Sequence, residues 1–179
     1  MQERYITIGI IALALAVSGY LLWNNTKNSG PQEYRSADAG LSFTYPGNYI
    51  LTEHQEGGTQ REWHVIILTD QNDLLPPENS EGPPSIVIIV FDNLEGQTLE
   101  QWIRGSSFSN FKLSDEQLAS TTVDQEPAFA YRYSGLYEND AVAAIVHNKI
   151  YFFAAGWMTE QDHIRQDFQN ILSGVEFTL

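Results

Sequence analysis

SIVIIVF at residues 85–91 and WHVIILT at residues 63–69 are the stretches from which the fold is read. Both are short β-branched runs, apolar at consecutive positions rather than at every second one. A strand of that kind buries both of its faces, so it belongs in the middle of a sheet covered above and below. Working outward, Leu41, Phe43 and Tyr45 alternate with Ser42 and Thr44 in a half-buried strand ended by Pro46. Residues 129–133, 141–147 and 150–155 supply three more strands, with Asn148-Lys149 as a tight turn between the last two. Val175, Phe177 and Leu179 alternate as a terminal strand.

Helix signals are fewer. Thr98 and Gln101 have capping-box spacing ahead of Leu99, Trp102 and Ile103, and Gly105 stops that short helix. Thr159 opens a second helix, with Glu160 and Asp162 in its first turn, where acidic groups suit the helix dipole. Ile164, Phe168, Ile171 and Leu172 form one apolar stripe, and Gly174 caps the end. Residues 114–118 fit either a short helix or the lead-in to a strand. The order is therefore β-hairpin, two central strands, helix, three strands, helix, strand. With so few crossovers the fold class is α/β of the α+β kind: a mostly antiparallel sheet sandwiched by helices.

Ahead of this body, residues 5–23 (YITIGIIALALAVSGYLLW) contain no charged side chain. As a helix they would span about 28 Å, close to the ~30 Å hydrocarbon core of a bilayer. Tyr5, Tyr20 and Trp23 stand at the ends, where amphipathic rings favour the headgroup layer. A cleaved signal peptide is the alternative, with its apolar core at residues 6–17 and small residues Ala14, Ala16, Ser18 and Gly19 for a cleavage site. A buried helix is the third reading. Continuation of the apolar run to Trp23, and a thin positive n-region in which Glu3 offsets Arg4, favour a retained N-terminal transmembrane helix over residues 1–23. A polar, Gly/Pro-punctuated linker follows at 24–33, and then one domain at 34–179. Arg4 and the amino terminus oppose only Lys27 across the span, so the charge rule is marginal. A short tail before one span places the N-terminus in the cytoplasm and the C-terminal domain outside it.

The chain has 23 acidic and 9 basic residues and a net charge of −14. Residues 1–30 hold only Glu3, Arg4 and Lys27 of these, leaving 22 acidic and 7 basic residues in the body. That balance argues against nucleic acid, whose backbone demands clustered Lys and Arg. Absence of cysteine excludes disulfides, Cys-ligated metals and thiol catalysis.

Several short signatures then fall in order: Gly40-Leu41-Ser42-Phe43-Thr44-Tyr45-Pro46, residues 85–90, Thr98-Leu99-Glu100-Gln101-Trp102-Ile103, Val123-Asp124-Gln125-Glu126-Pro127-Ala128, Lys149-Ile150-Tyr151 and residues 168–173. Together they make residues 34–179 resemble the PsbP-like domains of the Mog1/PsbP fold, in particular short membrane-anchored bacterial members. The resemblance implies a sheet-and-helix sandwich used for binding or assisting assembly rather than for catalysis. Gln125 departs from the pattern, standing where the family often has Gly. No partner-binding residue is carried over.

Candidate chemistry is sparse. His54, His64, His147 and His163 show no HxxxH or HxH spacing, with His54 read on a loop and His64 on a strand. Asp162-His163 has no Gly-x-Ser-x-Gly nucleophile to serve, and Ser106, Ser107 and Ser109 read as polar spacer. Residues 70–84 (DQNDLLPPENSEGPP) gather Asp70, Asp73, Glu78 and Glu81, the weak candidates for calcium, although Leu74 and Leu75 break the EF-hand pattern. Otherwise this is a solvated, proline-stiffened connection. Glu138-Asn139-Asp140 reads as a hairpin turn beside an exposed Tyr137, and Tyr137, Glu138 and Asp140 are the partner-binding candidates. Trp63, Trp102, Trp157, Tyr131, Tyr133 and Tyr151 are expected in the core. The expected function is a membrane-anchored extracytoplasmic binding or scaffolding module, with a protein partner in the cell envelope and no cofactor. The alternatives are a calcium-binding surface protein or a hydrolase with a convergent site.

Overall fold

The protein is described from a computed structural model, which covers residues 30–58, 61–73 and 82–178. Residues 5–23, most of the linker, Glu78 and Glu81 lie outside the described residues. Among the described residues no helix is long and apolar enough to cross a membrane.

Among the described residues ten strands form two antiparallel sheets. The larger has seven: β3 (Tyr49–Gly58), β4 (Arg61–Asp70), β5 (Ser85–Asp92), β6 (Ala119–Val123), β7 (Glu126–Ser134), β8 (Glu138–Val146) and β9 (Lys149–Trp157), in the order β3-β4-β5-β9-β8-β7-β6. The smaller is β1 (Gln32–Ser36), β2 (Leu41–Tyr45) and β10 (Glu176–Phe177), with β2 in the middle. The hairpin β1–β2 thus stands, with β10, in a sheet separate from the larger one. It begins two residues inside the stretch read as linker, and the terminal strand has only two residues.

The two runs that decided the fold lie side by side, Ile66 opposite Ile88 and Leu68 opposite Ile86. Alternation along β9 shows both faces buried. Tyr151, Phe153 and Ala155 join one core, and Ile150, Phe152 and Ala154 join another. Over the first face lie the small sheet, through Tyr34, Leu41 and Phe43, and helix α2 (His163–Ser173), through Ile164, Phe168 and Ile171. Over the second lie helix α1 (Leu99–Gly105), through Trp102 and Ile103, and a single 3₁₀ turn at Phe111–Leu113. Each face therefore carries one helix, but the first is shared with a second sheet. Trp102, Trp157, Tyr131, Tyr133 and Tyr151 are buried as expected, and Trp63 is half-buried.

Several expectations need correction. Helix α2 starts at His163, not at Thr159, because the Asp162 carboxylate accepts bonds from the Met158 and Thr159 amides and the Thr159 hydroxyl, closing a loop ahead of the helix. The β8–β9 turn is His147-Asn148, one residue earlier than expected. Both residues have positive φ (49° and 62°), the geometry of a type I′ hairpin. Ser109 is no spacer: it is fully buried, and its hydroxyl donates to the Ile103 carbonyl at 2.6 Å, tying the segment after α1 back to the helix. Residues 114–118 form no helix; Ser114 makes a lone bridge to Tyr133, and β6 follows at Ala119.

Gly40 sits at φ +70°, and a Cβ there would stand 2.9 Å from the Tyr151 hydroxyl, so only glycine lets β2 approach β9 this closely. The capping box on α1 is complete, with Thr98 accepting from the Gln101 amide and the Gln101 side chain accepting from the Thr98 amide.

Candidate functional site

Register along the large sheet brings several separated segments to one rim. β3 begins there at Tyr49, opposite Asp70, where β4 ends. Ser85 starts β5 opposite Thr69. Glu138 of β8 pairs with Trp157 of β9 on one side and with Ser134 of β7 on the other. The N-terminus of α2 completes the rim, joined to Asp70 through His163. Of the residues singled out in the sequence, the structure brings Asp70, Tyr137, Glu138 and Asp140 together here. Asp73 ends the short 3₁₀ turn at Gln71–Asp73 that follows β4.

Asp70 is the hub, a carboxylate only 3% exposed. One oxygen accepts from the Asn72 backbone N–H and from the Asn72 amide, both at 2.8 Å. The other accepts from the Asn48 amide at 2.8 Å and lies 2.9 Å from His163 Nε2. Burial pushes the pKa of this carboxyl up, but the hydrogen bonds from Asn72, His163 and Asn48 outweigh it and hold the value below the ordinary one. The carboxylate that His163 meets is not its neighbour Asp162 but Asp70, 93 positions away in the chain. His54 is on strand β3 rather than on a loop. Beside this hub is a cavity of about 230 Å³ lined by Tyr49, Asp70, Pro84, Met158 and His163. The Tyr49 hydroxyl donates to Asp167 of α2 at 2.9 Å.

A second polar cluster adjoins the first. Asp140 is held from two sides, by Arg165 Nε at 2.7 Å and by Arg132 Nε at 2.8 Å. Glu160 pairs with the same two guanidinium groups. Both lie against the Trp157 ring, with Arg165 Cζ 4.3 Å and Arg132 Cζ 5.5 Å from its centroid, so the cations gain the attraction of the π face as well as the carboxylates. Hydrogen bonds from Arg165 to Asp140, the foremost cause, and charge from Asp140 and Glu160 raise the pKa of Arg165 above its already high ordinary value. Asp140 and Arg165 are 14% and 17% exposed at their side chains, so this pair is shielded from water on most sides.

The expected turn at Glu138-Asn139-Asp140 is displaced. All three belong to β8, and the connection is Gly135–Tyr137, closed by the Gly135 amide donating to the Tyr137 carbonyl. Tyr137 is half-buried rather than exposed; its hydroxyl donates to the Gly82 carbonyl at 2.6 Å and fastens the end of the 71–84 connection to the turn. Glu138 is exposed and accepts from the Ser134 hydroxyl. Arg132 and Arg165 escaped notice in the sequence. The opposition of Arg132 and Asp140 follows once β7 and β8 are set in register around their turn, but nothing local announces Arg165.

Chemically, these groups fasten loops. Among the described residues there is no group of three or more His, Asp or Glu side chains placed to hold a metal ion. The lone pairs of Asp70 are directed to Asn72, Asn48 and His163.

With this geometry in place, the chain can be set beside solved structures that resemble it, among them these two. The solution structure of cyanobacterial PsbP (CyanoP) from Synechocystis aligns with a TM-score of 0.56 at 12% identity, over 83% of this chain and 93% of that one. A crystal structure from Bacteroides thetaiotaomicron aligns with a TM-score of 0.51 at 9% identity, over 84% of this chain and 49% of that one. Neither a protein-family model nor a curated protein matches the sequence. The domain therefore has the PsbP-like fold, as the ordered signatures implied. At such low identity the likeness speaks for the fold alone.

Proposed function

We propose that the protein is a single-pass membrane protein that presents its PsbP-like domain outside the cytoplasm, where it binds or scaffolds another component of the cell envelope without catalysis. The observation that carries this reading is the state of the rim. Asp70, Asp140, Glu160, Arg132 and Arg165 are spent on one another and on anchoring the ends of loops to the rim. Loops anchored at a sheet end suit recognition. Fifteen more acidic than basic residues in the body favour a basic or neutral partner and disfavour nucleic acid. The uncharged stretch at residues 5–23 supports the anchor.

The test is fractionation of cells producing the full chain. Retention in the membrane after alkaline carbonate washing, with the domain digested by protease added outside the cytoplasmic membrane, is the expected result. Recovery of the intact chain in the soluble fraction would overturn the anchor, and protection from external protease would overturn the orientation. Site-specific photo-crosslinkers at Glu138 then report the partner in the intact envelope.

A further inference from the structure

The rim that carries the polar hub is also where the chain enters the domain. Gln32 pairs with Tyr45 at the end of β2, and the next residues, through Asn48, lead straight into β3. Gln71 reaches back to this corner, its amide donating to the Asn48 carbonyl at 2.9 Å. Gly30 therefore leaves the body at the same rim as the 71–84 connection, the Gly135–Tyr137 turn and the end of β9.

Two of the most exposed large apolar side chains in the described protein stand here. Leu136 at the tip of the β7–β8 turn is 62% exposed, and Met158, just past β9, is 68% exposed. Continuing the antiparallel register of Glu138 with Trp157 sets Met158 opposite Tyr137, the residue after Leu136. Ile50, 39% exposed, lies at the start of β3 on the same rim.

Resting on the anchor proposed above, we infer that this rim docks on the bilayer surface that holds the N-terminal segment, with Leu136 and Met158 inserted among the headgroups. Distance forces the choice of rim. Trp23 and Gly30 are seven residues apart, a contour of at most about 25 Å. Strand β8 alone, nine residues long, extends about 30 Å. The far end of the sheet, with Leu94 and His147, thus cannot stand end-on on the lipid, while the entry rim stays within about 25 Å of it. The exposed Glu138 carboxylate on the rim, which has no cationic partner among the described residues, favours a zwitterionic over an anionic headgroup layer.

The natural chain lacks cysteine, so single labels are clean. Full-length Leu136→Cys, Met158→Cys and, as the far-end control, Leu94→Cys are labelled with an environment-sensitive fluorophore. They are then reconstituted in phosphatidylcholine vesicles with and without spin-labelled phosphatidylcholine carrying its nitroxide near the headgroup. Docking puts interfacial side chains about 5–10 Å into the headgroup boundary. The labels at 136 and 158 then lose roughly half or more of their emission to the quencher, and the label at 94 keeps its emission. Vesicle flotation is run on the same samples. Protein that floats while all three labels resist the quencher overturns the docking and leaves the anchor standing, including the case in which residues 74–81 cover the tips. Protein that fails to float overturns the anchor and the docking with it. The two rim positions report independently, so a variant that does not fold leaves the other to decide.

Discussion

Replacing Asp70 with alanine removes the acceptor for four donors at once: the Asn72 amide N–H, the Asn72 side chain, the Asn48 side chain and His163. Hydrogen bonds to a charged group contribute about 1.5–3 kcal/mol each when buried, and donors that regain water recover part of that. All four contacts are only partly buried and the His163 side chain is 63% exposed, so the net loss is about 2–4 kcal/mol rather than the sum. For a body of this length that is a fall in Tm of roughly 4–16 °C. Urea unfolding, followed through the buried Trp102 and Trp157, measures it as a lower midpoint with an unchanged slope. The pH dependence supplies an independent reading. Because the carboxyl pKa is depressed in the folded protein, its stabilisation is complete above the unfolded value of about 3.9. It disappears as pH falls through the lower folded value. The gap between the natural protein and Asp70→Asn should therefore be constant from about pH 5 upward and close toward pH 2. A loss under about 0.5 kcal/mol for the alanine variant, the size of an ordinary surface change, would refute the role of Asp70 as the hub of this rim.

Asp140→Ala strands the Arg165 guanidinium, itself 17% exposed, with Glu160 alone, and should cost about 1–3 kcal/mol in the same assay; adding Arg165→Met should recover part of the loss, because an apolar side chain there needs no counter-ion. Gln125→Gly should stabilise by about 0.5–1 kcal/mol, since Asp124 and Gln125 form the two-residue β6–β7 turn at φ +48° and +67°, where a side chain is strained; a destabilised variant would show that the Gln125 side chain contributes more than the backbone relief.

The departure at Gln125 illustrates how a sequence pattern and a structure inform each other. Glycine was missing from a turn that the ordered signatures placed correctly, and the structure retains the left-handed turn without it. Part of the compensation is visible: the Asp124 carboxylate accepts from the Phe177 amide at 2.8 Å, holding the turn to the last strand.

Central strands and helix stripes were legible because burial on two faces, or on one helical face, writes itself into neighbouring residues. The β-branched runs of β4 and β5, the capping box of Thr98 and Gln101 and the stripe through Ile164, Phe168 and Ile171 all depend on chemistry within a few positions. Strands β3 and β6 were not legible. Both are sheet edges and mostly exposed, so neither carries the apolar alternation by which strands are recognised. Division into two sheets was equally hidden, since strand partners are chosen by the whole chain. The rim followed the same rule: Asp70 was noticed in one acidic stretch and Tyr137, Glu138 and Asp140 in another, while His163 and Arg165 joined them only when helix α2 crossed the end of the sheet. Local sequence determined the central strands and the two helices, because those free energies are summed over adjacent residues. Tertiary structure alone decided which distant charges meet, because a hydrogen bond across 93 residues leaves no periodic trace in the sequence.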